Sequence, residues 1–379
     1  MRYSTIFFKK DSGEIILVRR NTYIRSARQI KRLTELEDVS NISLLYFPHD
    51  IEIDPAHYRI KLPNHRAAAQ LIANGDINVS LQLIADEARK TIEKSKDVTL
   101  YFEGGAGDYI MQSDVVAVLC EKYPDKTFTL LTDPSRHCLI SLILPPGHIT
   151  LKPNSRPSKK QKSFIDFSKI VGLDYYLPPN GKTAAYAFLA GLDPKISRVK
   201  IKVPAAQSKD GLKKVLPDPD DRKKRIIGLH LTSGNNNAKS WPIGNAQEMI
   251  NQLLTIDNNL LFLQFGGYGE EKINHEALRE CIGKPWDTVA ALVKTCKMII
   301  CIDSAIMHIA THLNIPAVTL WGPLRPQHIL PVPLPVSVVH GTCDKLFCGR
   351  YECNQKTCMK TISPDMIVKE VKKIWSEVK

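Results

Sequence analysis

From its N-terminus the chain first alternates apolar and polar positions. Thr5–Phe8 and Glu14–Val18 flank Asp11-Ser12-Gly13, a run suited to a hairpin turn, and Ile42–Phe47 is a third short strand stopped by Pro48. Apolar residues then recur at helical spacing over Ala67–Ile72 and Val79–Ile92. At Val98 the pattern changes. A continuous apolar strand, Val98–Phe102, leads into a glycine turn, a helix reaching Cys120 and a second strand, Phe128–Leu131. Strand, turn, helix, strand is the unit of a parallel sheet. It continues through Tyr175-Tyr176-Leu177 and a helix over Thr183–Leu189.

A polar, turn-rich stretch follows Pro204, and a second alternating series begins at Arg225. Its strands are Arg225–Leu231, Leu260–Phe265, Met298–Ile302 and Ala317–Trp321, and its helices are Ala246–Leu254, Asp287–Cys296 and Ala305–Leu313. Three of these strands are unbroken apolar runs, as parallel strands covered on both faces require. The pattern predicts an α/β chain of two Rossmann-like lobes with a small N-terminal α+β appendage. The expected divisions are an appendage over 1–95, a first lobe over 96–206, a linker over 207–224, a second lobe over 225–340, and a Cys-rich loop with a terminal helix over 341–379. That last helix has Ser363 as N-cap, Pro364 at its first position and Asp365 in its first turn.

Composition narrows the function. The chain has 379 residues and 43% hydrophobic content, enough for a core in each lobe and against disorder. No apolar run reaches the length of a membrane span, and the first residues lack a secretory pattern, so a cytoplasmic protein is expected. The net charge of +13 reads either as a solvated basic surface or as a match for an anionic partner such as a nucleotide sugar, an acidic glycan, anionic lipid or nucleic acid. Aromatics make up only 7% and do not interleave with the basic residues, which argues against nucleic acid. Lys152, Arg156, Lys159, Lys160 and Lys162 lie in one loop. They read either as a solvated loop or as a surface for an anionic acceptor or the membrane face.

Three motifs carry chemistry. Gly104-Gly105-Ala106-Gly107-Asp108 sits between a strand and a helix, where glycines admit a close ligand and helix N–H groups favour an acceptor. Asp108 is either a residue at the ligand-binding lip of the sheet or only a helix cap. Thr232-Ser233-Gly234 through Lys239-Ser240-Trp241-Pro242 follows the first strand of the second lobe. Its hydroxyls and Lys239 suit a diphosphate, with a solvated polar loop as the bland alternative. Asp303-Ser304-Ala305-Ile306-Met307-His308 joins a buried strand to a helix, an anion site of the helix-terminus type. His308 there reads equally as a core histidine.

These motifs, with Tyr123-Pro124, Gly266-Gly267 near Glu270 and Glu271, and Trp321-Gly322-Pro323, resemble glycosyltransferase family nine, the lipopolysaccharide heptosyltransferases, in order and spacing over about 97–375. The resemblance implies a GT-B fold, an acceptor on the first lobe and a nucleotide-sugar donor on the second. It also implies an inverting reaction, no catalytic metal and an ADP-heptose-like donor. By position, Asp108 resembles the family's general base in an acceptor loop of Gly105, Ala106 and Gly107, and Lys239 resembles its donor-phosphate lysine. Thr232, Ser233, Asp303, Ser304, Ala305 and His308 fall in donor loops, with Glu270 or Glu271 near the ribose. The expected acceptor is an anionic glycan or glycoprotein, with peripheral contact to the inner face of the membrane. Alternatives are a transferase using another nucleotide sugar and an inactive glycan-binding relative. Three features depart from the family: Ala305 where glycine is usual, an extra glycine in the first motif, and the appendage before the first lobe.

Nine cysteines divide into two groups. Cys120, Cys138, Cys281, Cys296 and Cys301 are expected to act as small buried hydrophobes. Cys343, Cys348, Cys353 and Cys358 recur every five residues and could hold a structural zinc or iron, although zinc pairs are usually closer in sequence. Reduced surface thiols are the alternative.

Overall fold

The computed structural model describes five strands before residue 62, then residues 88–154, 164–169, 181–193, 199–203, 205–234, 237–330, 334–349 and 353–377. The helices expected over 67–72 and 79–87, the segment 175–177, and Arg156, Lys159, Lys160 and Lys162 lie outside the described residues; 88–94 is helical.

The appendage begins with β1 (Tyr3–Lys9), β2 (Glu14–Thr22) and β3 (Ile42–Phe47), an antiparallel sheet of order β2-β1-β3. β4 (Glu52–Asp54) and β5 (Arg59–Lys61) form a separate antiparallel pair.

The first lobe is built on β6 (Asp97–Tyr101), β7 (Thr127–Thr132), β8 (Ile149–Pro153) and β9 (Phe164–Asp166), all parallel, in the order β8-β7-β6-β9. The helices α1 (Ala106–Lys122) and α2 (Gly181–Leu189) pack together. Between them and the sheet lies an apolar cluster that includes Leu100, Phe102, Val116, Phe128, Phe167 and Tyr186.

The connection to the second lobe carries α3 (Ala205–Val215). Leu212 and Val215 pack against the core of the second lobe, beside α5 (Trp286–Thr295). Six parallel strands follow: β10 (Arg225–His230), β11 (Leu260–Gly266), β12 (Leu278–Ile282), β13 (Met298–Ile302), β14 (Ala317–Trp321) and β15 (Ser337–His340). Their order is β12-β11-β10-β13-β14-β15, with α4 (Ile243–Ile256), α5 and α6 (Ala305–His312) against the sheet. α7 (Pro364–Glu377) packs on α4, and Ser363 Oγ accepts the Met366 N–H as the expected N-cap.

In each sheet the strand order reverses beside its first strand, between β6 and β9 and between β10 and β13. Loops leaving the carboxyl ends of strands at such a reversal diverge to opposite faces and leave a crevice, the usual ligand position of open α/β sheets. The glycine motif follows β6, the Thr232–Lys239 loop follows β10, and Asp303-Ser304 follows β13. All three therefore sit at a reversal.

The lobes are joined by buried contacts. Ala106, Ile110, Leu139 and Ile143 of the first lobe share one apolar cluster with Ile306, Met307 and Ala310 of the second. Arg136 lies over the Trp286 ring, 5.5 Å from its centroid. Among the described residues, no helix is long and apolar enough to cross a membrane.

Candidate active site

Asp108 is the third residue of α1, and its two carboxylate oxygens have different partners. Oδ2 accepts the Gly105 N–H at 2.9 Å, so the side chain caps the helix. Oδ1 lies 2.6 Å from Lys182 Nζ and accepts the Tyr186 hydroxyl at 3.0 Å. Asp108 thus caps its helix and also faces charged and polar groups at the carboxyl edge of the sheet. Burial first, and then the charge of Asp108, push the Tyr186 phenol well above its usual value, so it stays a donor. The additional glycine of this motif has a structural reason. Gly104 has φ +113°, and a β-carbon there would fall 2.6 Å from Asp108 Oδ2. The chain turns closely around the carboxylate only because the position has no side chain.

On the second lobe, Lys239 ends a short 3-10 turn over Asn237–Lys239 and forms an ion pair with Asp303, which lies just after β13. Two motifs distant in sequence therefore meet at the β10–β13 reversal. Ser304 is the N-cap of α6, and its buried Oγ has no hydrogen-bond partner among the described residues. Ser233 N–H donates to Ser240 Oγ at 3.0 Å, holding the ends of the Ser233–Ser240 loop together. Trp241 is fully buried and donates through Nε1 to the Ile362 carbonyl, which anchors the end of the loop.

The two glutamates separate clearly. Glu270 turns inward: Oε2 accepts Thr232 Oγ1 at 2.9 Å and lies 3.4 Å from His230 Nε2, while Oε1 accepts the Gly267 N–H at 2.9 Å. Burial alone would raise its pKa, but His230 and these hydrogen bonds outweigh burial and hold it below the ordinary glutamate value. Glu271 is exposed, and its backbone carbonyl accepts from Gln264 Nε2.

The two halves of the site touch. A β-carbon on Gly107 would lie 3.0 Å from His308 Cδ2 and 3.8 Å from the Ala305 backbone nitrogen. The first turn of α1, which carries Asp108, therefore rests directly on the first turn of α6. Gly107 is the glycine at this contact, facing Ala305 and His308. His308 is buried in this contact.

The cysteines depart in part from expectation. Cys120, Cys281, Cys296 and Cys301 are buried, whereas Cys138 is exposed at the start of a short helix on the lobe surface. In the C-terminal group Cys358 is buried, and burial followed by the neighbouring thiols of Cys343 and Cys348 pushes it up to about 11. Cys353 accepts the Lys356 N–H through Sγ at 3.3 Å. Among the described residues, no three His, Cys, Asp or Glu side chains are arranged to hold a metal ion.

Comparison with known proteins bears on these loops. Residues 190–359, which include the second-lobe loops and the C-terminal cysteine group, match the family model of glycosyltransferase family 9 (heptosyltransferase). The match covers less than half of the chain and marks a similarity to that family, mainly over the second lobe. It is 32% identical over 107 residues to lipopolysaccharide heptosyltransferase 2 of Escherichia coli (strain K12), covering 25% of this chain and 30% of that protein. It is 25% identical over 170 residues to lipooligosaccharide heptosyltransferase 2 of Haemophilus influenzae, covering 41% and 49%. The chain thus spans less than half the length of these curated relatives. Among solved structures, E. coli ADP-heptose lps heptosyltransferase II aligns with a TM-score of 0.57 at 16% identity, covering 74% of this chain and 99% of that one. The iron-containing dodecameric glycosyltransferase TibC of enterotoxigenic E. coli H10407 aligns with a TM-score of 0.58 at 12% identity, covering 100% and 92%. At such identities the likeness is one of fold, and that fold is GT-B.

Sequence reasoning missed Lys182, Tyr186 and His230. A signal was present for the first two. Lys182 opens an otherwise apolar helix, and Tyr186 lies four residues further along the same face.

Proposed function

We propose that the chain is an inverting glycosyltransferase that moves a heptose from ADP-heptose to a hydroxyl of an anionic glycan or glycoprotein. One observation supports the reading: the first turn of α1, which carries Asp108, rests on the first turn of α6, just after the Asp303 that pairs with Lys239. The acceptor hydroxyl attacks the anomeric carbon while its proton passes to Asp108 Oδ2. The bond from that carbon to the phosphate oxygen breaks, and ADP leaves with the electron pair. The charge that develops on the diphosphate is met by Lys239, Ser304 Oγ and the first N–H groups of α6, which are fixed before the reaction begins. Glu270, oriented by His230 and Thr232, binds the ribose hydroxyls. The choice of sugar is supported by the names of the curated heptosyltransferase relatives, and the choice of nucleotide by E. coli ADP-heptose lps heptosyltransferase II and by the TibC structure in complex with ADP-D-beta-D-heptose. That alignment also covers the whole of this chain, including the appendage, whereas the lps heptosyltransferase II alignment covers 74%.

Calorimetric titration with ADP, UDP, GDP and ADP-heptose tests the donor. ADP and ADP-heptose are expected to bind, and Asp108→Ala is expected to keep binding while retaining only residual turnover. Absence of nucleotide binding would overturn the reading. Retained turnover in Asp108→Ala would remove only the base.

A second reading is a structural zinc or iron at the cysteine cluster, on the ground that Cys343 and Cys348 lie near enough to Cys358 to help raise its thiol pKa. Metal analysis of protein purified without chelator tests it, and protein free of both metals removes it. Lys152, exposed at the end of β8, is in the basic segment proposed to meet the acceptor or an anionic membrane face. Binding to vesicles that is independent of their anionic lipid content would sink the membrane part of this proposal.

A further inference from the structure

Lys182 is a charged side chain in a place that otherwise selects apolar ones. Its residue is 3% exposed, and its neighbours on α2, Ala184, Ala185, Ala187 and Leu189, are buried in the first-lobe core. An ammonium group in such surroundings is strongly disfavoured unless a fixed counter-charge meets it. A methionine would fill the same space without that cost. The counter-charge is Asp108 Oδ1, 2.6 Å away, and Tyr186 donates to the same oxygen from the next turn of α2. The Tyr186 ring is held edge-on against Phe167, with centroids 5.4 Å apart, so the hydroxyl has little freedom to leave.

On the functional reading above, we infer that Lys182 and Tyr186 are positioning residues: together they grip Oδ1 of Asp108 and so aim Oδ2 at the acceptor hydroxyl. Neither touches the acceptor. Each donates to one oxygen and leaves proton uptake to the other, which carries a single backbone hydrogen bond from Gly105. With Oδ1 held from α2 and Oδ2 from the N-terminus of α1, the carboxylate plane has one orientation. Near-attack geometry depends on this, because a shift of about 1 Å in a reacting group costs on the order of 10²-fold in rate. The sequence pattern that identifies the pair is a lysine and a tyrosine four residues apart on a helix that is otherwise alanine-rich and buried.

Steady-state kinetics with ADP-heptose, calorimetry with ADP and thermal melting test the clamp on the full chain. Lys182→Met is expected to lower kcat by ~30-fold or more, with ADP affinity changed less than about twofold. Lys182→Arg is expected to recover part of that loss, because it keeps the charge. Tyr186→Phe is expected to cost ~3- to 10-fold in kcat. In the Asp108→Ala background, Lys182→Met is expected to change kcat by less than about twofold, since the residue on which it acts is gone. A kcat for Lys182→Met within about threefold of wild type would overturn the inference, as would an equal loss in both backgrounds. If Lys182→Met fails to fold, Tyr186→Phe in the two backgrounds decides by the same comparison. Failure of ADP to bind wild-type protein would instead count against the functional reading, because the clamp lies on the opposite lobe from the donor.

Discussion

His312 Nε2 lies 2.8 Å from Asp114 Oδ2, with both side chains about 1% exposed, and this pair fastens α6 of one lobe to α1 of the other. His312 Nδ1 faces the His308 carbonyl at 2.7 Å, so both ring nitrogens meet oxygen atoms. Asp114 Oδ1 also accepts the Val199 N–H. The contact lies two turns along α1 from Asp108 and one turn along α6 from His308, so it sets how the halves of the site meet. Asp114→Ala or His312→Ala is expected to destabilise the protein by ~3–5 kcal/mol, because each leaves the other partner buried without its counterpart. Urea unfolding of the two single variants and the double variant checks this. The double is expected to fall well short of the sum, and simple additivity would show that the pair is not coupled.

Gly104→Ala probes the turn around the carboxylate. The positive φ and the overlap with Asp108 force either strain of ~1–3 kcal/mol or movement of the carboxylate. A loss of kcat of about 10²-fold with unchanged ADP binding is expected from the latter. Wild-type kcat in a folded Gly104→Ala protein would show that Asp108 does not act from this geometry.

Lys239→Ala removes the charge paired with Asp303 at the loop proposed to hold the diphosphate. It is expected to lower kcat/KM for the nucleotide sugar by ~10²-fold and to weaken ADP in calorimetry, leaving Asp303 as a repulsive neighbour. An unchanged ADP affinity would separate Lys239 from the donor phosphates.

Glu270 links the donor loop to pH. Its folded pKa is depressed, so its ionised form contributes stability above the unfolded glutamate pKa, and that contribution is lost as pH falls through the lower folded value. Glu270→Gln is therefore expected to melt below wild type near neutral pH, with the difference shrinking as the solution is acidified below the ordinary glutamate range. Melting curves against pH check the sign. A gap that widens in acid would mean that Glu270 is not held ionised by His230 and Thr232.

Thiol reactivity follows burial. Cys281 is pushed up to about 12 by burial, and burial also raises Cys296 and Cys301 strongly, whereas Cys343, Cys348 and Cys353 are only half-buried and Cys138 is exposed. Short alkylation followed by mass spectrometry is expected to modify Cys138 and members of the C-terminal group before Cys281, Cys296 or Cys301. Early modification of the latter three would contradict the packing of the second-lobe core.

The two lobes were legible in the chain because their strands are unbroken apolar runs and their helices carry apolar residues at a period of 3.6. Burial on both faces of a parallel strand or on one face of a helix leaves that local trace. Edge strands leave less of one. β12 contains Arg279 and Glu280 among its five residues, and β15 has only four residues, so neither stands out as a core strand. The polar stretch after Pro204 hid α3, whose few apolar residues find their partners on the second lobe. Cys138 lies in an apolar neighbourhood in sequence but on the surface in space.

The sequence by itself determined the elements, the motif loops that follow β6, β10 and β13, and the residue types able to take a proton or meet a phosphate. Only the tertiary structure decided the pairings: Lys239 with Asp303, Asp108 with Lys182 and Tyr186, Glu270 rather than Glu271 with Thr232 and His230, and Gly107 against His308. The reason is physical. Periodicity records which face of an element is buried, a property of neighbouring residues. Which loops meet depends on strand order and on the docking of two lobes, and those are set by contacts between residues tens to hundreds of positions apart.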